Sequence, residues 1–505
     1  MYAVGSKQHV QTCSLFGVKR VPKKWWHWGL FGFALLLTIE AVLLWSKWPF
    51  TRERLTVSLE RATGSKLRAA RFRMTFFPSP GCVLDDAVFE RDGAVAPLAR
   101  MRQLSVRGSW AAVLMFRHHL AEMQPEDLRV SIPEKVPPAM RLHPPAKHET
   151  AVGEFVADGA VLDVRGLTFR FRRLRLHDLS RTSPIRMEVD VTIPHPSGTV
   201  QASAVFGPWK GAASPLSGSF TLTGADLSKY EELEGILRGS GTFQGTLAAL
   251  GVRGQADLTA LRVRRKGPAT AVHADYAATV NGTTGETLLE QADVQFLRSR
   301  ITVSGSIGKT TTLDFDGRPG RVEDLIRVFA SSDEPGMRGP ISFRARVVLP
   351  AGHAPFLRRV LLDGSFGIDD AQFKRRTQDK MEKLSSRARG QDNDVPPADI
   401  DSDVQGHVLL RDGVARLDHV RLRVPGAVAK GGGTFNLITK RVDLGGTVTT
   451  DATLSEAAGG GIKSFLLKPL NVFFRDKKNA GAVLPVSITG TYPHAKAQIS
   501  LTGKR

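Results

Sequence analysis

The residues closest to chemistry are a histidine pair, His118-His119, two adjacent carboxylate pairs, Asp85-Asp86 and Asp369-Asp370, and an acidic run of Asp392, Asp394, Asp399, Asp401 and Asp403. A transition-metal site needs further imidazole or thiolate ligands at defined spacing, and no Cys lies near the histidines. Adjacent side chains on a strand point to opposite faces, so neither Asp pair makes a general acid and base working on one substrate. The acidic run has the oxygen ligands of a calcium loop but lacks the Gly and Glu of an EF-hand. Gly431-Gly432-Gly433 precedes a strand pattern rather than a helix, with no Lys-Ser/Thr after it, so it does not cradle phosphate. No Gly-x-Ser-x-Gly elbow occurs. The expectation is a chain with no catalytic residue, no metal and no cofactor, and not an enzyme.

The elements that would position such residues point elsewhere. A length of 505 residues exceeds a single compact core. Apolar residues at 42% and charged residues at 24% fit a globular chain. The 49 Gly fit many short strands joined by turns. The formal charge of +21 raises nucleic acid as a partner. Against that, the Arg and Lys are spread along the chain and alternate with apolar residues, as in Phe169-Arg170-Phe171-Arg172, where they form the wet side of a strand. Anionic lipid headgroups are the better-matched partner, and no nucleic-acid partner is expected. Of the two cysteines, Cys13 and Cys82, neither has metal-type spacing.

Residues 28–45, WGLFGFALLLTIEAVLLW, are long and apolar enough to cross a bilayer as a helix. Trp28, Leu35, Leu36, Leu37, Val42, Leu43, Leu44 and Trp45 carry the anchor, with Trp25, Trp26 and Trp48 extending the aromatic belts. Lys19, Arg20, Lys23 and Lys24 before the run favour a cytoplasmic N-terminus, although Lys47, Arg52 and Arg54 follow it. A cleaved signal peptide is the rival reading, but bulky residues follow the run and no small-x-small site is present. The reading is therefore a cytoplasmic tail over 1–24, a retained transmembrane anchor over 25–48, and everything downstream on the far side.

Downstream, residues 51–64 predict a helix with Leu55, Leu59 and Ala62 on one face and Gly64 as its stop. Strands follow, one of them over 98–107, and a short helix over Trp110–Phe116. Residues 133–150 are Pro-rich and read as a linker. From 151 the pattern has period two. Ile185, Met187, Val189, Val191 and Ile193 alternate with Arg186, Glu188, Asp190 and Thr192. His195-Pro196-Ser197-Gly198 turns the chain, and similar runs include 216–222 with Phe220 and Leu222, 239–247, 294–307, 341–349, 361–368, 404–410, 414–424, 432–437, 442–449 and 483–491. Helices are predicted over 226–237, capped by Asp226, and over 372–389, followed by a loop to 403. An apolar helix or hairpin is predicted over 462–474. The fold class is thus mainly β: an N-terminal transmembrane helix, then an elongated, twisted antiparallel β-sheet or groove with a few short helices.

The order of these parts resembles AsmA-like proteins. LERATGSKLRAARFRMTFFPSPGCVLDDAVFE after a single span resembles their N-terminal region, assigned here to 51–132. GHVLLRDGVARLDHVRLRVPGAVAKGGGTFNLITKRVDLGGTVTTDATLSE and GAVLPVSITGTYPHAKAQISL resemble their C-terminal region, assigned to 404–505. Between them lie a repetitive β-groove region over 151–371 and a charged insertion over 372–403, which departs from the family pattern. The resemblance implies an inner-membrane protein, single pass, with its bulk in the periplasm of a diderm bacterium. It also implies a role in outer-membrane biogenesis and a kinship with bridge-like lipid transfer proteins. The implied partners are the inner membrane, phospholipid, and outer-membrane or periplasmic proteins. It carries over no catalytic residue.

A sheet with one apolar face must cover that face, with protein or with lipid tails. Ile185, Met187, Val189, Val191, Ile193, Phe220 and Leu222 are the candidate floor of a lipid groove. Each tail methylene laid on such a floor gains about 0.8 kcal/mol without any polar contact. The alternative is a structural or scaffolding periplasmic protein with a protein-filled β-core, which the same alternation describes.

Overall fold

The computed structural model describes residues 48–90, 97–115, 119–132, 151–164, 166–180, 182–229, 233–263, 268–329, 336–373, 402–451, 483–492 and 494–499. The predicted tail 1–24, the anchor apart from Trp48, the linker 133–150, most of the charged insertion, the acidic residues Asp392 to Asp401, His118 and the stretch 462–474 lie outside these residues. Among the described residues no helix is long and apolar enough to cross a membrane.

The described chain opens with helix α1 (Arg52–Thr63). Leu55 and Leu59, one turn apart, are buried on the sheet-facing side. Gly64 ends the helix in the left-handed region at φ 63°. A side chain is disfavoured in that conformation. The Gly64 N–H donates to the Glu60 carbonyl. Strands β1 (Lys66–Arg68) and β2 (Arg71–Thr75) both pair with β3 (Gly81–Glu90), which pairs with β4 (Ala99–Gly108). A short helix α2 (Trp110–Leu114) follows, ending before the predicted Phe116. Strands β5 (His119–Glu126) and β6 (Arg129–Ile132) add to β4.

Here the all-antiparallel expectation fails. Strands β7 (Ala151–Val156) and β8 (Val161–Val164) run parallel to β5 and β6. A parallel pair needs a crossover connection of about a dozen or more residues. The Pro-rich stretch 133–150, read as a linker between regions, is that connection in sequence.

From β9 (Leu167–Leu179) onward the sheet is a meander. Its members are β10 (Ile185–Ile193), β11 (Ser197–Phe206), β12 (Pro215–Asp226), β13 (Leu233–Thr246), β14 (Ala249–Val263), β15 (Thr270–Val280), β16 (Thr287–Phe296), β17 (Ser299–Ile307) and β18 (Thr311–Arg321). Helix α3 (Val322–Phe329) and the short β19 (Met337–Arg338) precede β20 (Pro340–Leu349); helix α4 (Phe356–Arg359) precedes β21 (Leu361–Ile368). The short β22 (Gln372–Phe373) pairs only with β19. The meander resumes with β23 (Asp403–Arg411), β24 (Val414–Val424), β25 (Ala427–Asn436), β26 (Arg441–Thr450), β27 (Val483–Thr491) and β28 (Lys496–Ile499). Together the described residues form one 26-stranded sheet. At about 4.8 Å per strand its length is on the order of 100 Å.

Two sequence expectations are corrected by pairing. The helix predicted over 226–237 is instead the end of β12, a single 3₁₀ turn over Leu227–Lys229 and the start of β13. Asp226 does act as a cap, accepting from the Ser228 N–H at 2.8 Å. Gly235, at φ 146°, has a backbone no helix can hold, and Ala225 and Asp226 pair with Leu237 and Ile236. The single strand predicted over 294–307 is two strands, β16 and β17, reversed at Leu297-Arg298. Asp369-Asp370 sits in a bend rather than on a strand. Asp86 stands within β3 at a positive φ of 51°, while Asp85 binds Arg73 at 3.0 Å.

The tightly packed core lies at the N-terminal end, where α1 closes over β3–β7 through Leu84, Leu104, Val106 and Phe50. A second core forms where α3 laps over the sheet, with Val328 and Leu325 against Phe296, Ile301 and Val272. Two buried carboxylates latch α3. Asp324 accepts from the Arg298 N–H and the Ser299 hydroxyl; Glu323 accepts from Arg298, Arg321 and the Gly339 N–H. Burial alone would push Glu323 up. The Arg321 hydrogen bond, the backbone N–H donors and the Arg321 charge outweigh it and hold the carboxyl below its ordinary value. A group depressed on folding contributes stability above its unfolded value and loses it as pH falls through the folded one. Acidification below the ordinary carboxylate range is therefore expected to loosen α3. Glu323→Gln should cost about 2 kcal/mol at neutral pH, the worth of charged hydrogen bonds, and flatten that acid response. Thermal unfolding followed across this pH range checks both.

Candidate functional site

The predicted floor residues share one face. Val189 pairs with Ala202, Ala202 with Phe220 and Val200 with Leu222. Directly paired residues point the same way. Ile185, Met187 and Val191 continue that face along β10, because alternate residues of a strand share a side. Val191 is buried; Ile185, Met187, Val189, Ile193, Phe220 and Leu222 are half-buried.

The row through Val189 extends far beyond the predicted residues. From Leu174 on β9 it runs through Val189, Ala202 and Phe220 to Gly241, Gly254, Tyr276, Ala292, Val303 and Phe315. It continues through Ala345, Gly364, Val408, Leu417, Gly433, Leu444 and Ile488 to Ala497 on β28. The Tyr276 hydroxyl is the one polar side-chain group in this row. Burial pushes that phenol's pKa up.

Aromatic rings on this face lie along it instead of standing up from it. Phe220 pairs with Gly241 and Phe243 with Gly218. A Cβ on Gly241 would stand 3.0 Å from the Phe220 ring, and one on Gly218 only 2.7 Å from Phe243. The two rings stack with centroids 6.4 Å apart. Glycine lets each ring fold down over its neighbour's backbone, the arrangement that rescues strand glycines. The result is a floor of low relief.

The opposite face is wet and carries ion pairs and side-chain hydrogen bonds across strands. Arg346 meets Asp314 at 2.7 Å, Arg344 meets Asp316 at 3.1 Å, and His407 meets Asp363 at 2.8 Å. His273 bridges Asp257 and Asp275. The Asp257 hydrogen bond, foremost, pushes its pKa up. These exposed pairs contribute little stability each, but they fix which side faces water.

At the N-terminal end the face opens into a cavity of about 780 Å³ between α1 and the sheet. That volume suits a ligand of drug or lipid-tail size. Its wall is apolar: Phe50, Leu55 and Leu59 from α1 and the residues before it, and Met101, Leu104, Leu120, Met123 and Phe155 from the sheet. Glu53, Arg54 and Arg61 stand at its rim on α1. Ile185, the first predicted floor residue, lines its far side, so cavity and floor are continuous. The cavity escapes sequence reasoning because its walls meet only through pairings between distant strands. Ile185 is the single predicted floor residue that points to it.

Among the described residues no group of three or more His, Cys, Asp and Glu could hold a metal ion. No family model, curated protein or solved structure matches the chain.

Proposed function

We propose that this chain is an envelope-biogenesis protein that binds or conducts phospholipid acyl chains in its hydrophobic β-groove, between inner and outer membrane. In this reading residues 25–48 anchor it in the inner membrane with the N-terminus cytoplasmic, and the sheet stands in the periplasm. The observation that carries it is the row from Leu174 to Ala497, apolar except for the Tyr276 hydroxyl, half-buried over β10–β13 and joined at one end to an apolar cavity. A low, featureless floor holds hydrocarbon at about 0.8 kcal/mol per methylene without favouring one position, which permits sliding. A sheet on the order of 100 Å long supports a role for further periplasmic or outer-membrane proteins at its far end.

The scaffold reading, with a protein-filled core, draws support where α3 laps over Phe296, Ile301 and Val272, and at the N-terminal end where Leu174 packs against the core under α1. There the trough would narrow.

Photo-crosslinking from a benzophenone side chain tests the proposal. Placed at Val189 or Phe220 in the full chain in native membranes, it is expected to capture phospholipid identified by mass spectrometry. Placed at Ser219, on the opposite face, it is expected to capture none. Crosslinks from both floor positions to protein alone would overturn the groove in favour of the filled core.

A further inference from the structure

An exposed aromatic patch stands at the N-terminal end, on the loop after β2 and on α2. Phe77 is 91% exposed, Met115 64% and Leu114 57%, with Phe76 and Trp110 also exposed. The loop and the helix meet here, and Trp110 and Leu114 lie one turn apart on α2. The Trp48 ring lies 5.3 Å from Phe76 and 5.9 Å from Trp110, and the Trp110 indole N–H donates to the Pro78 carbonyl at 3.1 Å. Large exposed apolar patches on soluble domains mark interaction sites.

The sequence before the patch says what covers it. Trp48 follows Trp45, the end of the apolar run, by three residues. A chain reaches at most about 3.6 Å per residue, so Trp48 is held within about 11 Å of that end. Trp48 is itself buried, yet its indole N–H finds no acceptor among the described residues. Tryptophan with an apolar body and an N–H to satisfy belongs at a membrane–water interface. Trp48 also meets Phe50 at 6.0 Å, and Phe50 walls the cavity.

We infer that the patch of Phe76, Phe77, Trp110, Leu114 and Met115 is a membrane-docking surface that seats the cavity's Phe50 end at the headgroup level of the bilayer. The inference rests on the anchor reading of residues 25–48, and its docking step does not depend on lipid occupying the groove. The tether brings the patch to the interface, and the patch in turn fixes how the sheet rises from it.

The test uses the full chain in vesicles of phosphatidylethanolamine and phosphatidylglycerol. Cys13→Ser leaves Cys82, which is buried with its thiol pushed up to about 12. A buried, protonated thiol is shielded from labelling. On that background Phe77→Cys and Leu114→Cys each carry an environment-sensitive fluorophore. Phe356→Cys, an exposed position many strands away, is the reference. The labels at 77 and 114 are expected to emit further to the blue and to be quenched several-fold more by shallow doxyl lipids than the label at 356. Equal quenching at all three positions, with the chain floating with the vesicles, overturns the docking surface. So does shielding from iodide without doxyl quenching, which would mark contact with a second copy. Failure of the chain to float would overturn it together with the anchor, and lipid crosslinking at Val189 would still report on the groove separately.

Discussion

Phe220→Asp is expected to lower phospholipid bound per chain about a hundredfold at that point of the groove while leaving the sheet folded. Phe220 is half-buried on the floor, and its ring lies over Gly241 beside Phe243. A carboxylate there keeps its water, so the segment of acyl chain crossing it stays hydrated. Losing the burial of roughly four methylenes at about 0.8 kcal/mol each costs about 3 kcal/mol, or a factor on the order of a hundred in affinity. The lost ring stacking costs the fold only about 1 kcal/mol. Ser219→Asp is the matched control: one residue away, exposed, and on the wet face. It is expected to change neither lipid content nor melting temperature. Lipid mass spectrometry and thermal unfolding on the two variants read both quantities. A filled core makes the opposite prediction, because a buried charge without a partner costs several kcal/mol and Phe220→Asp would unfold the region.

The contrast between Phe220 and Ser219 was legible from sequence because β10 to β12 alternate cleanly and the turn at His195-Pro196-Ser197-Gly198 is marked. Helix α1 was equally legible, through Leu55, Leu59 and the Gly64 stop. Strands β14 and β15 were not. Their floor positions include Gly254, Ala256, Ala274 and Ala278, which carry no hydrophobic signature of their own. Gly254 belongs to the apolar row because Tyr276 faces it across the pair; a Cβ there would lie 2.8 Å from the Tyr276 hydroxyl oxygen. Apolar character of this kind exists between strands, not within a segment. The turn at Leu297-Arg298 was hidden for a related reason. It lacks Gly, Pro, Asn and Asp, the residues that mark turns. Leu297 nevertheless adopts φ 49° there. The run 226–237 is rich in helix formers, and the hairpin pairing of its two ends together with the pairing of Ile236 and Leu237 to β14 overrode that preference.

Phe50→Ala is expected to be the most destabilising single change at the N-terminal end, and its damage is expected to stay there. The side chain is 1% exposed, and its ring fills the space over Gly108, where a Cβ would collide with it. It stacks edge-on with Trp48 and walls the cavity. Truncating a buried Phe costs about 3–5 kcal/mol, from lost transfer energy and from the void left behind. Here the void opens into an existing cavity, so the surroundings gain little by collapsing onto it. Phe77→Ala, at the exposed tip, should cost within about 0.5 kcal/mol. In a meander each strand touches only its neighbours, so stability is close to a sum of local terms and unfolding need not spread. Hydrogen exchange is therefore expected to accelerate by about two to three orders of magnitude in α1, β3 and β4. It should be unchanged in β23–β26, which belong to the other end of the meander. Uniform acceleration along all strands would mean that the sheet unfolds as one cooperative body rather than strand by strand.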